Sequence, residues 1–557
     1  MDDAYTIPTA VRAMQAADKP ESIDLSHHLS ELAKARISSP LKGLYKYFNQ
    51  PGMLSLAGGL PPPEAFPYES ITAQTLARNS FKTTEQGIGA WLWSLLGGGG
   101  KKTDQWTIPK WDDDKSRVQL STALQYGTAA GLPPLAQFIY DFTTRVYRPA
   151  TSDFKTVINA GSTDAWGKIV TSLCNPGDGV LAEEWTYPTA WPSGIKPVPL
   201  PMDGDGLTVD GMEQVLANWN PDEHDGMQRP RVLYTVPVCQ NPTGGTVSLE
   251  RKRAIYALAV KFDIIIVEDD PYYFLQSGEY HRSEQERSAA LPNKTESDAE
   301  FLASLVPSYL HLDCQGRVVR IDTFSKTICP GSRLGWTTCN PVFAERLERA
   351  NESSTQAASG MSQALVGSLL AEQWGYTGYL RWLKGLKAEY RNRRDTLVDN
   401  LLDVSHAELD ARSVVASQTG SRAFEVWTRP TGKEVDEKLM GGGQKLLSFV
   451  APVGGMFVWL RVHFAAHPRF HSTPTTELLM SLWEDLAEHH VLIVPGTIFS
   501  AASVGQDLVD QDLVDQDPLV TADGDGFFRI SFSSATPDEM HRACKMLATR
   551  VRVFFKG

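Results

Sequence analysis

A chain of 557 residues exceeds one ordinary hydrophobic core and should divide into two or three domains. Hydrophobic residues make up 42% and charged ones 21%, the balance of a globular protein, and no apolar run approaches the roughly 20 residues that span a bilayer. The 53 basic and 66 acidic side chains leave a net charge of −13, which disfavours a nucleic-acid partner.

The first residues, Met-Asp-Asp-Ala-Tyr, carry no basic region followed by an apolar one, and the last four, Phe-Phe-Lys-Gly, match no common retention signal, so a cytoplasmic address is expected. Six scattered cysteines (Cys174, Cys239, Cys314, Cys329, Cys339, Cys544) form no Cys-x-x-Cys pair and read as reduced thiols, with neither a metal site nor a disulfide framework.

In chain order, residues 1–54 are polar and irregular, an arm with a helix expected around 26–35. Ser55 to Pro63 follows, where paired glycines allow close backbone approach and prolines exclude a helix. Gly97 to Lys102 imitates a phosphate loop but lacks its Ser or Thr and a preceding strand, so 97–117 is expected to be a flexible surface insertion. From there short aliphatic strands alternate with helices: strands at 156–159, 180–183, 232–236, 264–267 and 318–321, helices at 132–147, 165–174 and 249–262. Buried runs of this kind are the pattern of a parallel α/β sheet. Residues 277–316 read as a polar, exposed, partly mobile loop, and helices follow near 342–351, 362–373 and 378–404. A second α/β region closes the chain, with strands at 454–460, 491–496 and 527–533 and a helix at 475–489. Within it Gln506 to Asp517 repeats Asp-Leu-Val-Asp-Gln, an acidic low-complexity insertion in a loop. The domains expected are an arm (1–54), a large domain (55–395, inserts 97–117 and 277–316) and a small one (396–557, insert 503–523).

Every unusual cluster falls after a strand, where ligands collect in such sheets. Gly161-Ser162-Thr163 opens a helix whose free N–H groups suit a phosphate. Asn241-Pro242-Thr243-Gly244, Asp270-Pro271-Tyr272-Tyr273 and Ser325-Lys326 with Arg333 follow three others, and Arg529 lies in the last strand. A lysine among hydroxyls near an arginine suits an amine nucleophile beside an anion site. Taken alone, each could be a solvated loop or a packing aromatic. His27-His28 and His489-His490 have no ligand cluster around them and read as surface or helix-end residues.

The order and spacing of these motifs resemble the pyridoxal-phosphate aminotransferases of fold type I. Ser55 to Pro61, Glu268 to Tyr273 and Gly455 to Trp459 are similar to the branch that holds fungal aromatic amino acid aminotransferases and the kynurenine or 2-aminoadipate aminotransferases. The resemblance covers about residues 36–553, outside the inserts. It implies a large domain with a mostly parallel seven-stranded sheet, a smaller α/β domain, and pyridoxal 5′-phosphate carried by Lys326 as an imine. Lys326 would also move the substrate's Cα proton, Asp270 would pair with the pyridine nitrogen, and Tyr273 with Asn241 would donate to the phenolic oxygen. Tyr187 would stack on the ring. Ser162, Thr163, Thr323, Ser325 and Arg333 would hold the phosphate, joined by Tyr126 of a neighbouring subunit. Arg529 and Asn241 would bind the substrate carboxylate, and Gly59 and Leu60 would line its pocket. The implied enzyme is a homodimer moving an amino group from an aromatic amino acid to 2-oxoglutarate by ping-pong transfer, with no nucleic-acid or membrane partner. A β-lyase type of reaction, or a regulator that kept the fold without catalysis, are the alternatives.

Overall fold

Runs such as Gly-Val-Leu-Ala-Glu and Ile-Ile-Val-Glu-Asp are β-branched and aliphatic through both faces, so they are stable only with helices packed on either side. The computed structural model describes residues 19–37, 59–76, 103–188, 191, 194–290, 296–415, 422–428, 443–503 and 524–556. An antiparallel hairpin, β1 (Ser70–Leu76) with β2 (Thr103–Pro109), comes first. The seven strands of the main sheet are β3 (Lys155–Asn159), β4 (Gly179–Glu183), β5 (Lys196–Leu200), β6 (Val232–Thr235), β7 (Ile265–Asp269), β8 (Val318–Thr323) and β9 (Gly335–Cys339). Their order is β3-β9-β8-β7-β6-β4-β5, and only β9 runs antiparallel to its neighbours. A second sheet is antiparallel throughout, with strands β10 (Leu409–Val415), β11 (Arg422–Thr428), β12 (Lys445–Val450), β13 (Phe457–His463), β14 (Val494–Pro495) and β15 (Asp525–Ser531) in the order β10-β11-β12-β13-β15-β14. The fold is α/β, as expected.

Each sheet has its own core. Val180, Leu233, Ile266 and Val319 are buried in the first, and Phe424, Leu447, Val458 and Phe528 in the second, each side chain contributing about 1.5–3 kcal/mol by leaving water. Helix α1 (Ser162–Leu173) packs on β3, α2 (Leu249–Lys261) follows β6, and α3 (Gly375–Glu408) connects the two cores. Leu380 and Leu383 of α3 enter the first, and Leu397, Val398, Leu401 and Leu402 the second. Two short seams fasten the sheets together. In one, Gly455 N–H donates to Leu275 O (3.1 Å) and Ser277 N–H to Val453 O (2.8 Å). A Cβ on Gly454 would meet the Leu275 carbonyl at 2.2 Å, so backbone approach this close requires glycine. In the other, Thr186 N–H donates to Phe499 O (2.7 Å) and Ala501 N–H to Glu184 O (2.9 Å).

Three expectations need correction. Within 97–117, residues 97–102 lie outside the described residues, but Thr103–Pro109 is a strand whose Trp106 and Ile108 are buried, because their alternation gives the hairpin an apolar face. Residues 277–316 are not an exposed loop: they form helices Glu284–Ala290 and Asp298–Ala303, the latter closed by a Ser297–Glu300 capping box. Phe301, Leu305, Tyr309 and Leu310 of this stretch enter the first core, and Arg287 pairs with Asp399 of α3. Of the two histidine pairs, His28 is fully buried, not superficial, and shares the Asp263 carboxylate with His27 and Arg317. His489 does cap the helix Thr475–Glu488 as expected. Ser55 to Gly58 and the repeat at 506–517 lie outside the described residues.

Candidate active site

Strand direction places the site. The parallel strands end on one edge of the sheet, so the loops after β3, β4, β6, β7 and β8 meet there. After β3, Gly161 takes a φ of 97° and turns the chain into α1, where the Ser162 hydroxyl is buried without a hydrogen-bond partner. A Cβ on Gly161 would stand 2.8 Å from Arg333 Nη2. That guanidinium arrives from the far side of β8, held by Ala160 O (3.2 Å) and Pro330 O (3.1 Å). Thr323 Oγ1 lies 2.8 Å from Ser325 Oγ and accepts from the Ser325 N–H at 3.1 Å. Ser162, Ser325 and Arg333 thus provide two hydroxyls and a cation at a helix N-terminus, the donor set of a phosphate.

Lys326 has no hydrogen-bond or ion-pair partner among the described residues, and burial together with Arg529 and Arg333 lowers its pKa. Arg529 comes from β15 of the second sheet. It donates from Nη1 to Asn241 Oδ1 (2.7 Å) and lies between the rings of Phe457 (4.3 Å) and Phe499 (4.6 Å). Its Nε is buried and unpartnered. A guanidinium flanked by aromatic faces with one edge free is arranged for a planar carboxylate. Trp185, Trp459 and Phe527 extend this aromatic wall, with centroids 5.2–5.4 Å apart. Tyr187, 37% exposed, follows Trp185 and lies within electrostatic reach of Arg529 and Tyr272.

At the end of β7 the period of two decides which residues face this space. Glu268 and Asp270 point to one side. There Arg320, with no exposed surface, meets Asp270 (2.8 Å), Asp322 (3.0 Å) and Glu268 (3.2 Å). Its guanidinium lies over the rings of Tyr147 (3.9 Å) and Tyr273 (4.7 Å). Asp269 points to the other side, receives the Tyr234 hydroxyl at 2.9 Å, and lies beside Ser162 and Tyr272. Burial pushes its pKa up to about 6, an effect that the Tyr234 hydroxyl opposes. The geometry therefore gathers Asp269 and Tyr272 with Lys326, Arg333, Arg529, Asn241 and Tyr187, and turns Asp270 and Tyr273 toward the buried arginine.

A sequence model of the aminotransferase class I and II family matches residues 96–547. The chain belongs to this family. It is 33% identical over 539 residues to an aromatic amino acid aminotransferase of Schizosaccharomyces pombe, covering 96% of this chain and 98% of that one. It is 35% identical over 470 residues to an L-tyrosine:2-oxoglutarate aminotransferase of Tapinella panuoides, covering 83% and 79%. The crystal structure of the aminotransferase Aro8 from Candida albicans superposes with a TM-score of 0.78 at 31% identity, over 97% of this chain and 100% of that one.

Pyridoxal 5′-phosphate is the cofactor of this family of aminotransferases, and the residues present fit it. Ser162 Oγ and Asp269 Oδ1 are both buried without a hydrogen-bond partner, one where a phosphate would sit and the other where a pyridinium would. Four other residues expected at the site are exposed in the single chain. Thr163 is exposed. Tyr126 (65% exposed), Gly59 and Leu60 (42%) are exposed as well, and Gln125, which accepts from the Tyr126 N–H, donates to Pro61 O. Sequence reasoning missed Asp269, Tyr272, Tyr234 and Trp185. Asp-Asp-Pro-Tyr-Tyr contains two acid–tyrosine pairs of equal spacing, and only the phase of β7 separates them.

Proposed function

We propose that this aminotransferase moves the amino group of an aromatic L-amino acid to 2-oxoglutarate by ping-pong transfer. The observation that carries the reading is the unpaired Lys326, held between Arg333 on the phosphate side and Arg529 on the substrate side. The names of the relatives and the aromatic wall around Arg529 support the substrate class.

When bound, pyridoxal phosphate supplies an electron sink for the pair released as the substrate's Cα–H bond breaks. The chain's residues do the rest. Lys326 Nζ carries the cofactor between turnovers and moves the Cα proton; its lowered pKa keeps more of it as the free amine that both tasks need. Arg529 grips the substrate carboxylate, with Asn241 fixing the guanidinium plane. Asp269, which Tyr234 orients, pairs with the pyridine nitrogen, and Tyr272 with Asn241 donates to the phenolic oxygen. These two replace Asp270 and Tyr273 in the roles expected from sequence; Asp270 and Tyr273 instead hold the layer beneath. Tyr187 covers the ring, and Ser162, Ser325 and Arg333 hold the phosphate, with Thr323 orienting Ser325.

The large and small domains of this proposal are the two sheets with their separate cores. A homodimer belongs to it too: the exposed Tyr126, Gly59 and Leu60 would then face a partner's site. The cytoplasmic address is kept on the same footing, and no helix among the described residues is long and apolar enough to cross a membrane. The test is glutamate formation from 2-oxoglutarate with tyrosine or phenylalanine as donor. Undiminished turnover in Lys326→Ala would refute the reading, and equal activity with small aliphatic donors would refute the aromatic assignment.

A further inference from the structure

A cavity of about 370 Å³ lies where the 277–290 segment, which begins at the seam residue Ser277, meets α3, and none of the residues placed around Lys326 lines it. Three arginines line it, and two are fully engaged. Arg394 donates to Gly278 O, Glu279 O and Pro452 O and pairs with Asp395; Arg287 donates to His281 O and forks onto Asp399. Arg391 differs. Only its Nε is used, toward Ser277 O at 3.0 Å, and no carboxylate lies within ion-pair distance of it among the described residues.

A guanidinium taken largely out of water beside another cation is costly unless an anion answers it. Burial, and then Arg394, weaken its hold on its proton, an effect that the Asp395 and Glu296 carboxylates oppose from beyond ion-pair distance while paired with Arg394 and Lys387. His281, Asn392 and Thr396 add polar groups to the same wall. Asp395 is already satisfied by Arg394, and Glu279, which also lines the cavity, is exposed.

We propose that this cavity binds a small dianion, a phosphate or a dicarboxylate, whose oxygens accept from the free edge of Arg391. Because the cavity touches α3 and the seam that joins the sheets, occupancy would stiffen the junction between them. The proposal does not depend on the substrate assignment.

Isothermal titration of the cofactor-loaded enzyme at constant ionic strength tests it, with inorganic phosphate and succinate as separate probes. Binding carried by the cavity is the part lost in Arg391→Gln, about tenfold or more in affinity, while the cofactor absorbance stays unchanged. Arg391→Lys, which keeps the charge but not the planar fork, should lose an intermediate amount. Retention by one probe only identifies the oxyanion preferred. Equal binding of both probes by the parent and Arg391→Gln, or none by the parent, overturns the proposal. So does binding that appears only in Glu279→Gln, which would make Glu279 the arginine's own counter-ion.

Discussion

The Tyr234 hydroxyl lies 2.9 Å from Asp269 Oδ2, and both residues are buried at the carboxyl ends of adjacent parallel strands. The hydroxyl fixes one carboxylate oxygen and leaves the other, Oδ1, unpartnered. Removing the donor in Tyr234→Phe should cost about 1–3 kcal/mol of the interaction that Asp269 makes with a pyridinium. Equilibrium dialysis should show weaker retention of pyridoxal phosphate, and the pH titration of its absorbance should shift. An unchanged titration would mean that Tyr234 only packs.

Asp269→Asn and Asp270→Asn separate the two sides of β7. The first should lower kcat on the order of 10²–10³-fold with little change in melting temperature. The second removes one of three carboxylates around Arg320 and should destabilise by less than the about 3–5 kcal/mol of a pair broken outright, because Asp322 and Glu268 remain. Steady-state kinetics and thermal melts on both variants decide, and the reverse pattern would restore Asp270 as the pyridine partner.

Lys326 is a cation lowered in pKa by burial and two arginines. In the cofactor-free protein, the unfolded chain therefore holds this proton more tightly than the folded one, so folding stability rises with pH through the window between the lowered folded pKa and the ordinary lysine value. Lys326→Met removes the penalty. Denaturant melts of the cofactor-free variant should show a gain in stability at neutral pH that shrinks as pH climbs through that window.

Acid should loosen the segment from Ile23 to Ala35. Burial lowers the pKa of His28 to about 4 from 6.5, so the unfolded form binds the extra proton between these values and the segment loses stability as pH falls through them. Asp263, held below the usual carboxylate range by its Arg317 and histidine partners, keeps accepting their hydrogen bonds throughout. Protection factors at Leu25, Leu29 and Ala33, meaning exchange corrected for the pH dependence of its intrinsic rate, should fall from pH 6.5 toward pH 4, and Asp263→Ala should lower them at every pH.

Much of this was legible in one dimension. Short aliphatic runs between helices identify a buried parallel sheet because no other environment covers both faces of such strands. The motifs at Asn241, Ser325-Lys326, Arg333 and Arg529 announce themselves because charged and hydroxyl groups after apolar strands need a reason to be there. Other features left no local trace. Phe301 and Tyr309 sit in a stretch dominated by charge, and their surroundings come from far along the chain: Lys387 of α3 lies over Phe301, and Lys252 of α2 over Tyr309. His28 looks superficial until Asp263, 235 residues away, is brought against it.

By itself, then, the sequence determined the α/β class, the family, the lysine and both flanking arginines, since these follow from residue type and spacing along the chain. Only the tertiary structure separates Asp269 from Asp270, because the two differ by one step of strand phase. One step turns a carboxylate from the Tyr234 hydroxyl to the buried Arg320, and which side each takes is fixed by the packing of those two residues.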